Sequence, residues 1–135
     1  ENILGELKGM RIALFGVSYR QDIGDTRYSP AETFYRIAVE RGAFVKAHDP
    51  LVVKWEELDL ELDRVHPLAT EVDAAVFTVQ HREYREMDIA AWAGNAKPAV
   101  LDANHVLSPK QHEVLRAAGC RVESIGIGEL SWGKI

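Results

Sequence analysis

Residues 10 to 30 read MRIALFGVSYRQDIGDTRYSP. The first eight, Met10 to Val17, form a near-continuous apolar run, as expected of a parallel strand covered on both faces. The last two open a helix: Ser29 serves as N-cap, Pro30 suits the first helical position, and Glu32 falls at the third. Between strand and helix the chain carries Arg20, Asp22, Asp25 and Arg27. A strand-to-helix loop needs only roughly two to six residues. A longer, charged connection therefore points to something bound.

Working outward, Phe34, Ile37 and Ala38 give the helix its apolar stripe, and Gly42 is placed to end it. Ala43 to Ala47 is a second strand, stopped by His48-Asp49-Pro50, which reads as a turn signal. Leu51 to Leu68 holds either a short helix or an exposed excursion, and its acidic run from Glu56 to Asp63 reads as a solvated face. Ala74 to Val79 is the third strand, followed by a weak helix around Met87 to Ala93 that Gly94-Asn95 stops. Ala99 to Asp102 is the fourth strand. Ser108-Pro109 repeats the helix start, with the helix running through Leu115 to Gly119, and Arg121 to Ile127 is the fifth strand. Strands alternating with helices over short links imply right-handed crossovers. The expected fold is a doubly wound (Rossmann-like) α/β three-layer sandwich with a mostly parallel five-stranded sheet, in one domain.

The 135 residues are 47% hydrophobic and 27% charged, with net charge −5. That composition fits a folded domain and excludes a disordered chain. The negative charge argues against a nucleic-acid partner. No apolar run approaches the roughly 20 residues needed to span a bilayer, and ENILGELKGM lacks the pattern of a signal peptide. One cysteine cannot form an internal disulfide, so a reducing cytoplasmic setting is the default. The first residue, Glu1, leads to the expectation that the chain was processed or cut from something longer.

In open α/β sheets ligands bind beyond the carboxyl ends of the strands. Those places are Ser18 to Arg27, His48-Asp49, Gln80-His81 and Asp102 to His105. Arg20 and Arg27 are planar cationic forks suited to phosphate oxygens, and the helix start near Ser29 adds amide donors and a positive dipole end. Asp22 and Asp25 hold the loop through Asx turns or orient the arginines. Together these suit a pyrophosphate; the same charges also fit a solvated surface loop. A GxGxxG fingerprint is absent, since Gly16 stands alone, and only Asp49 is available as an acid closing the second strand. The chain by itself does not read as a complete dehydrogenase.

The remaining candidates read more plainly. Cys120 is a small buried cysteine with no activating neighbour beyond Arg121. The five histidines have no metal-ligand spacing, so no metal site is expected. His81 and His105 fall at strand ends, where they either line the cleft or, as is the simpler reading, take surface or capping roles. Trp55 and Trp92 sit in helical patterns as packing residues, and Trp132 lies in a tail. A receiver-like signalling domain would need an acidic pair after the first strand and an Asp after the third, where this sequence has Ser18-Tyr19 and Gln80-His81.

LKGMRIALFGVSYRQDIGDTRYSPA, residues 7 to 31, resembles the start of the C-terminal domain of the UDP-glucose/GDP-mannose dehydrogenase family. R-G-A-x-V to D-P (Arg41 to Pro50), A-V-L-D (Ala99 to Asp102) and I-G-I-G (Ile125 to Gly128) extend the likeness over nearly the whole chain. The resemblance implies enzymes that oxidise a nucleotide sugar C6 hydroxyl to a carboxylate, using two NAD+ and a thiohemiacetal on a cysteine. It implies an N-terminal domain that holds most of the NAD and a central region with the cysteine and dimer contacts. It also implies residues 1–9 as linker, 10–130 as the C-terminal nucleotide-sugar-binding domain and 131–135 as tail. Tyr19 and Arg20 stand where the family has an aromatic-Lys substrate-binding pair. Arg27 stands where the D-T-R arginine reaches NAD, and Asp25 and Thr26 are read as loop-shaping. Two positions depart from the pattern: Arg20 replaces lysine, and Asn104 replaces an arginine that contacts substrate, keeping hydrogen bonding and losing charge. No catalytic residue is assigned, and the chain alone is expected to be inactive. The alternative expectation is a stand-alone, non-catalytic nucleotide-sugar-binding or regulatory module of the same fold.

Overall fold

In a computed structural model, residues 5–18, 24–27, 29–62 and 65–125 are described. The opening apolar run forms β1 (Arg11–Phe15), and α1 (Pro30–Glu40) returns the chain to β2 (Phe44–His48). A two-stranded antiparallel hairpin follows, β3 (Lys54–Trp55) and β4 (Leu60–Glu61), around a short 3-10 turn at Glu56–Leu58. Then come β5 (Ala74–Phe77), α2 (Arg82–Arg85), α3 (Ile89–Ala93), β6 (Ala99–Asp102), α4 (Pro109–Ala117) and β7 (Val122–Ser124). The main sheet runs β2-β1-β5-β6-β7, and every pairing in it is parallel. This is the expected doubly wound sheet. Its order reverses between β1 and β5, the switch point where such folds open a crevice.

Alternation along the strands builds two cores. Ile12, Leu14, Val76 and Leu101 face α1, the hairpin and the buried Trp55. Ala13, Phe15, Phe77 and Val100 face α2, α3 and α4 through Tyr84, Ile89 and Leu115. Phe15 and Phe77 stack with ring centroids 4.5 Å apart, within the range where aromatic pairing adds to burial. Burying Phe34, the α1 anchor, contributes roughly 2 kcal/mol.

Both Ser-Pro helix starts behave as the sequence implies. Ser29 accepts from the Ala31 amide, and Ser108 forms a full capping box with Gln111. Gly42, with φ +92°, ends α1. Three local expectations change. Trp55 is a strand residue, its packing role intact, because the segment from 51 to 62 folds as a hairpin. The weak helix ending at Gly94 is α3, and a separate single turn, α2, precedes it. The strands are also shorter than their apolar runs, since Val17 and Val79 lie past the ladders and still bury their side chains. Trp132 and the Gly126–Gly128 stretch lie outside the described residues.

Candidate functional site at the strand ends

The carboxyl ends of β1, β2 and β5 are joined through one buried carboxylate. Asp49 Oδ2 accepts from the Val17 amide (2.9 Å), the Ser18 amide (3.1 Å), the Ser18 hydroxyl (2.8 Å) and His81 Nε2 (2.9 Å). Its Oδ1 accepts from the Leu51 amide at 2.9 Å, the Asx turn that the His-Asp-Pro pattern signals. Burial alone would push the Asp49 carboxyl up. The hydrogen bonds from His81 and from the Val17 and Leu51 amides outweigh it and hold the group below the usual carboxylate range. His81 is itself buried, so its expected surface or capping role gives way to that of Asp49's partner.

Gly16 is fixed by the same crowding. Its φ is +104°, and a Cβ there would come within 2.9 Å of the Val79 backbone nitrogen and side chain. Thr78 donates its hydroxyl to the Gly16 carbonyl at 2.6 Å. The floor of the crevice is thus closed, and the first two amides after Gly16 are taken by Asp49.

The far end of the connection is anchored too. Gly24 lies against Leu51, where a Cβ would come within 2.8 Å of the Leu51 carbonyl oxygen. Thr26 donates its hydroxyl to Glu57 Oε1 of the hairpin turn at 2.5 Å. Asp25 accepts from the Arg27 amide at 2.9 Å and pairs with its guanidinium at 2.7 Å. That pairing brings the Asp25 carboxyl down to about 2. The loop-shaping reading of Asp25 and Thr26 is what these contacts describe. Arg27 keeps 74% of its side chain exposed. At the start of α1 the Ala31 amide goes to Ser29 Oγ and the Glu32 amide to the Ser29 carbonyl, so the cap itself uses these expected anion donors. Tyr19, Arg20 and Asp22 lie outside the described residues.

Asn104 sits beyond β6, away from Arg27 across the sheet order. Its carbonyl accepts from Gln80 Nε2 at 2.6 Å, and the next carbonyl, His105, accepts from Arg85 at 2.6 Å. His105 adopts φ +50°, a left-handed turn. Asp102, fully buried, caps this turn by accepting from the Val106 amide (2.7 Å), the Leu107 amide (3.0 Å) and His112 Nε2 (2.8 Å).

A second group is assembled by the fold alone. His48, the last residue of β2, meets His66 and Glu83 of α2, one ligand atom from each lying within 4.8 Å of the others. Sequence spacing gave no sign of it, because the three residues come from separate segments. His48, Glu83, Asp49, Val52 and Leu62 line a pocket of about 190 Å³ beside this group. Cys120 is buried, and burial pushes its thiol up, against a nucleophilic role. Among the described residues no helix is long and apolar enough to cross a membrane.

The arrangement does not fit a dinucleotide held in the GxGxxG manner. Asp49 turns its carboxylate inward instead of offering it to a ribose, and the amides that would approach a pyrophosphate already have a partner. What the connection offers is an exposed cation, Arg27, on a stretch fixed at both ends.

Residues 13–109 match the family described as "UDP-glucose/GDP-mannose dehydrogenase family, UDP binding domain". The UDP-glucose 6-dehydrogenase of Rickettsia felis is 29% identical over 132 residues, which are 90% of this chain and 28% of that protein. The UDP-glucose 6-dehydrogenase TuaD of Bacillus subtilis is 26% identical, over 92% of this chain and 28% of its own length. The crystal structure of NDP-N-acetyl-D-galactosaminuronic acid dehydrogenase from Methanosarcina mazei aligns with TM-score 0.74 and 27% identity, over 90% of this chain and 26% of that one. The chain therefore spans less than a third of the length of these relatives.

Proposed function

The chain belongs to the UDP-glucose/GDP-mannose dehydrogenase family, in its UDP binding domain, and on that premise we propose that it is the nucleotide-sugar-binding part of an NAD-dependent nucleotide sugar 6-dehydrogenase. In this reading its partners are an N-terminal domain carrying most of the NAD site and a central region carrying the catalytic cysteine and dimer contacts. The whole enzyme would be cytoplasmic, supplying sugar acids for polysaccharide biosynthesis. This domain closes over the nucleotide half of the substrate, with Tyr19 and Arg20 as its contacts and Asn104 on the neighbouring loop. Arg27 reaches across to the NAD, whose nicotinamide supplies the hydride acceptor when bound.

The observation that carries the reading is the connection after β1, pinned at one end by Asp49 and at the other by Leu51 and Glu57. Such anchors at residues 17–18 and 24–26 fix where the connection leaves and rejoins the fold, which supports a binding role for it. The Val17 and Ser18 amides, taken by the domain's own Asp49, support a division of labour in which another domain holds the dinucleotide.

The test is calorimetric titration of the chain with UDP-glucose, UDP and GDP at low salt, beside Arg20→Ala. We expect the uridine nucleotides to bind and the variant to weaken them by about tenfold or more, the loss of one charge-assisted phosphate contact. Unchanged binding in the variant would remove Arg20 from the site, and preference for GDP would reassign the base. A non-catalytic binding module is the second reading, favoured by Asn104 where the family has an arginine. It predicts nucleotide-sugar binding by the native full-length protein with no reduction of NAD+.

A further inference from the structure

We propose that His48, His66 and Glu83 bind one zinc ion, with a further coordination position open to the pocket above Asp49. The donor set is two imidazoles and a carboxylate, the combination found in zinc sites that keep a position free for water or an oxygen ligand. His66 Nε2 lies 2.9 Å from Glu83 Oε2, and His48 Nε2 lies 4.0 Å from the same oxygen. Ligands about 2.1 Å from a tetrahedral zinc stand roughly 3.4 Å apart, between these two distances. The adjustment falls mainly on Glu83, whose side chain is 49% exposed, with a smaller shift of His66, which is 29% exposed.

His48 is held as a metal-binding imidazole needs to be. Its Nδ1 lies 2.9 Å from the Tyr84 hydroxyl, and that hydroxyl donates to the His48 carbonyl at 3.0 Å. A phenol has one proton. Once it goes to the carbonyl, the oxygen accepts from Nδ1–H, so Nε2 carries the lone pair. A hydrogen bond on the remote ring nitrogen fixes tautomer and orientation in this way at metal sites. The rest of the frame is equally fixed. His48 belongs to a sheet strand, and Trp92 Nε1 donates to the carbonyl of Pro67, next to His66, at 2.8 Å. The ring of His66 packs against His48 with centroids 4.6 Å apart.

The pocket is the independent observation. It shares two of the three ligands, His48 and Glu83, so the open position faces a cavity of about 190 Å³, room for water or a small oxyanion. A bound ion would also tie the segment around His66 to β2 and α2. This inference stands apart from the nucleotide-sugar reading.

The test uses the 135-residue chain stripped with chelator, titrated with zinc chloride and, separately, magnesium chloride. We expect one zinc per chain and no measurable magnesium binding. His66→Ala and Glu83→Gln, both at partly exposed positions, should keep the native circular dichroism and weaken zinc by more than about tenfold, while Tyr84→Phe should weaken it by about tenfold. Cobalt in place of zinc should give visible absorption in the wild type that His66→Ala removes. Binding well below one equivalent, or wild-type affinity in His66→Ala and Glu83→Gln, overturns the proposal.

Discussion

Asp49 and Asp102 stand in the same kind of place, at the carboxyl end of a parallel strand, and both bury their carboxylates completely. Each gathers main-chain amides and one imidazole. They differ in where those partners come from. The Val17 amide and His81 lie 32 residues from Asp49, the first in the loop after β1 and the second in the loop after β5. The Asp102 amides lie within five residues, and His112 only ten away. A carboxylate with local partners shapes its own turn. One with distant partners joins separate strands, and here it joins the ends of β1, β2 and β5.

The widest gap between the two should appear on truncation. Asp49→Ala removes the acceptor of three amides (Val17, Ser18 and Leu51), the Ser18 hydroxyl and the His81 imidazole. The expected cost is about 4 kcal/mol in chemical denaturation. Asp102→Ala frees the buried Val106 and Leu107 amides, but these lie within its own turn, which can rearrange locally, and about 2 kcal/mol is expected. Amide chemical shifts sharpen the contrast: the first variant should disturb Val17, Ser18 and His81 together, the second only residues 103 to 112. Equal costs, or shifts from Asp102→Ala that spread to Val17, would break the distinction.

Acid tests the Asp49 joint in a second way. The Asp49 carboxyl titrates lower in the folded chain than in the unfolded one, where it sits near 3.9. Stability from a depressed carboxyl is present above the unfolded value and is lost as pH falls through the folded one. The stability gap between wild type and Asp49→Asn should therefore be constant from pH 7 to about 5 and shrink below about 4. A gap that grows on acidification would reverse the sign of the argument.

Gly16→Ala probes the same joint from the backbone side. It forces a side chain onto a left-handed residue and against Val79, and roughly 2 kcal/mol of destabilisation is expected. Here too the connection after β1 should suffer more than the turn after β6.

How legible these two regions were in the sequence follows from the same distinction. The strand runs, the Ser-Pro caps and Gly42 are local signals, and the fold they imply is the fold observed. Asp102 ends a recognisable A-V-L-D strand. Asp49 read only as a turn, because its partners are brought near by the parallel pairing of β1 with both β2 and β5, which no spacing along the chain displays. His48, His66 and Glu83 were hidden for the same reason. The hairpin at 54–61 escaped because two-residue strands carry no periodicity, and α2 because four residues make a single turn. The one hint for His81 was its place at a strand end.

The smallest expected change in stability, and the most informative for binding, is Asn104→Arg. Asn104 is held through its main chain: its carbonyl takes the Gln80 amide group, and its amide contacts Asp102. The side chain is half-buried at the rim of the strand-end surface, so a longer cation can extend toward solvent without disturbing those bonds. Melting temperature should therefore stay close to wild type, unlike that of Asp49→Ala. Affinity is a separate matter. If the domain takes nucleotide sugar through Arg20 and the loop after β6, a second guanidinium there should tighten UDP-glucose by about tenfold, one charge-assisted contact to phosphate or sugar. Tighter binding would make the turn capped by Asp102 part of the ligand surface. Unchanged binding would leave the ligand to the connection fixed by Asp49, and the two strand ends would then differ in function as well as in the reach of their carboxylates.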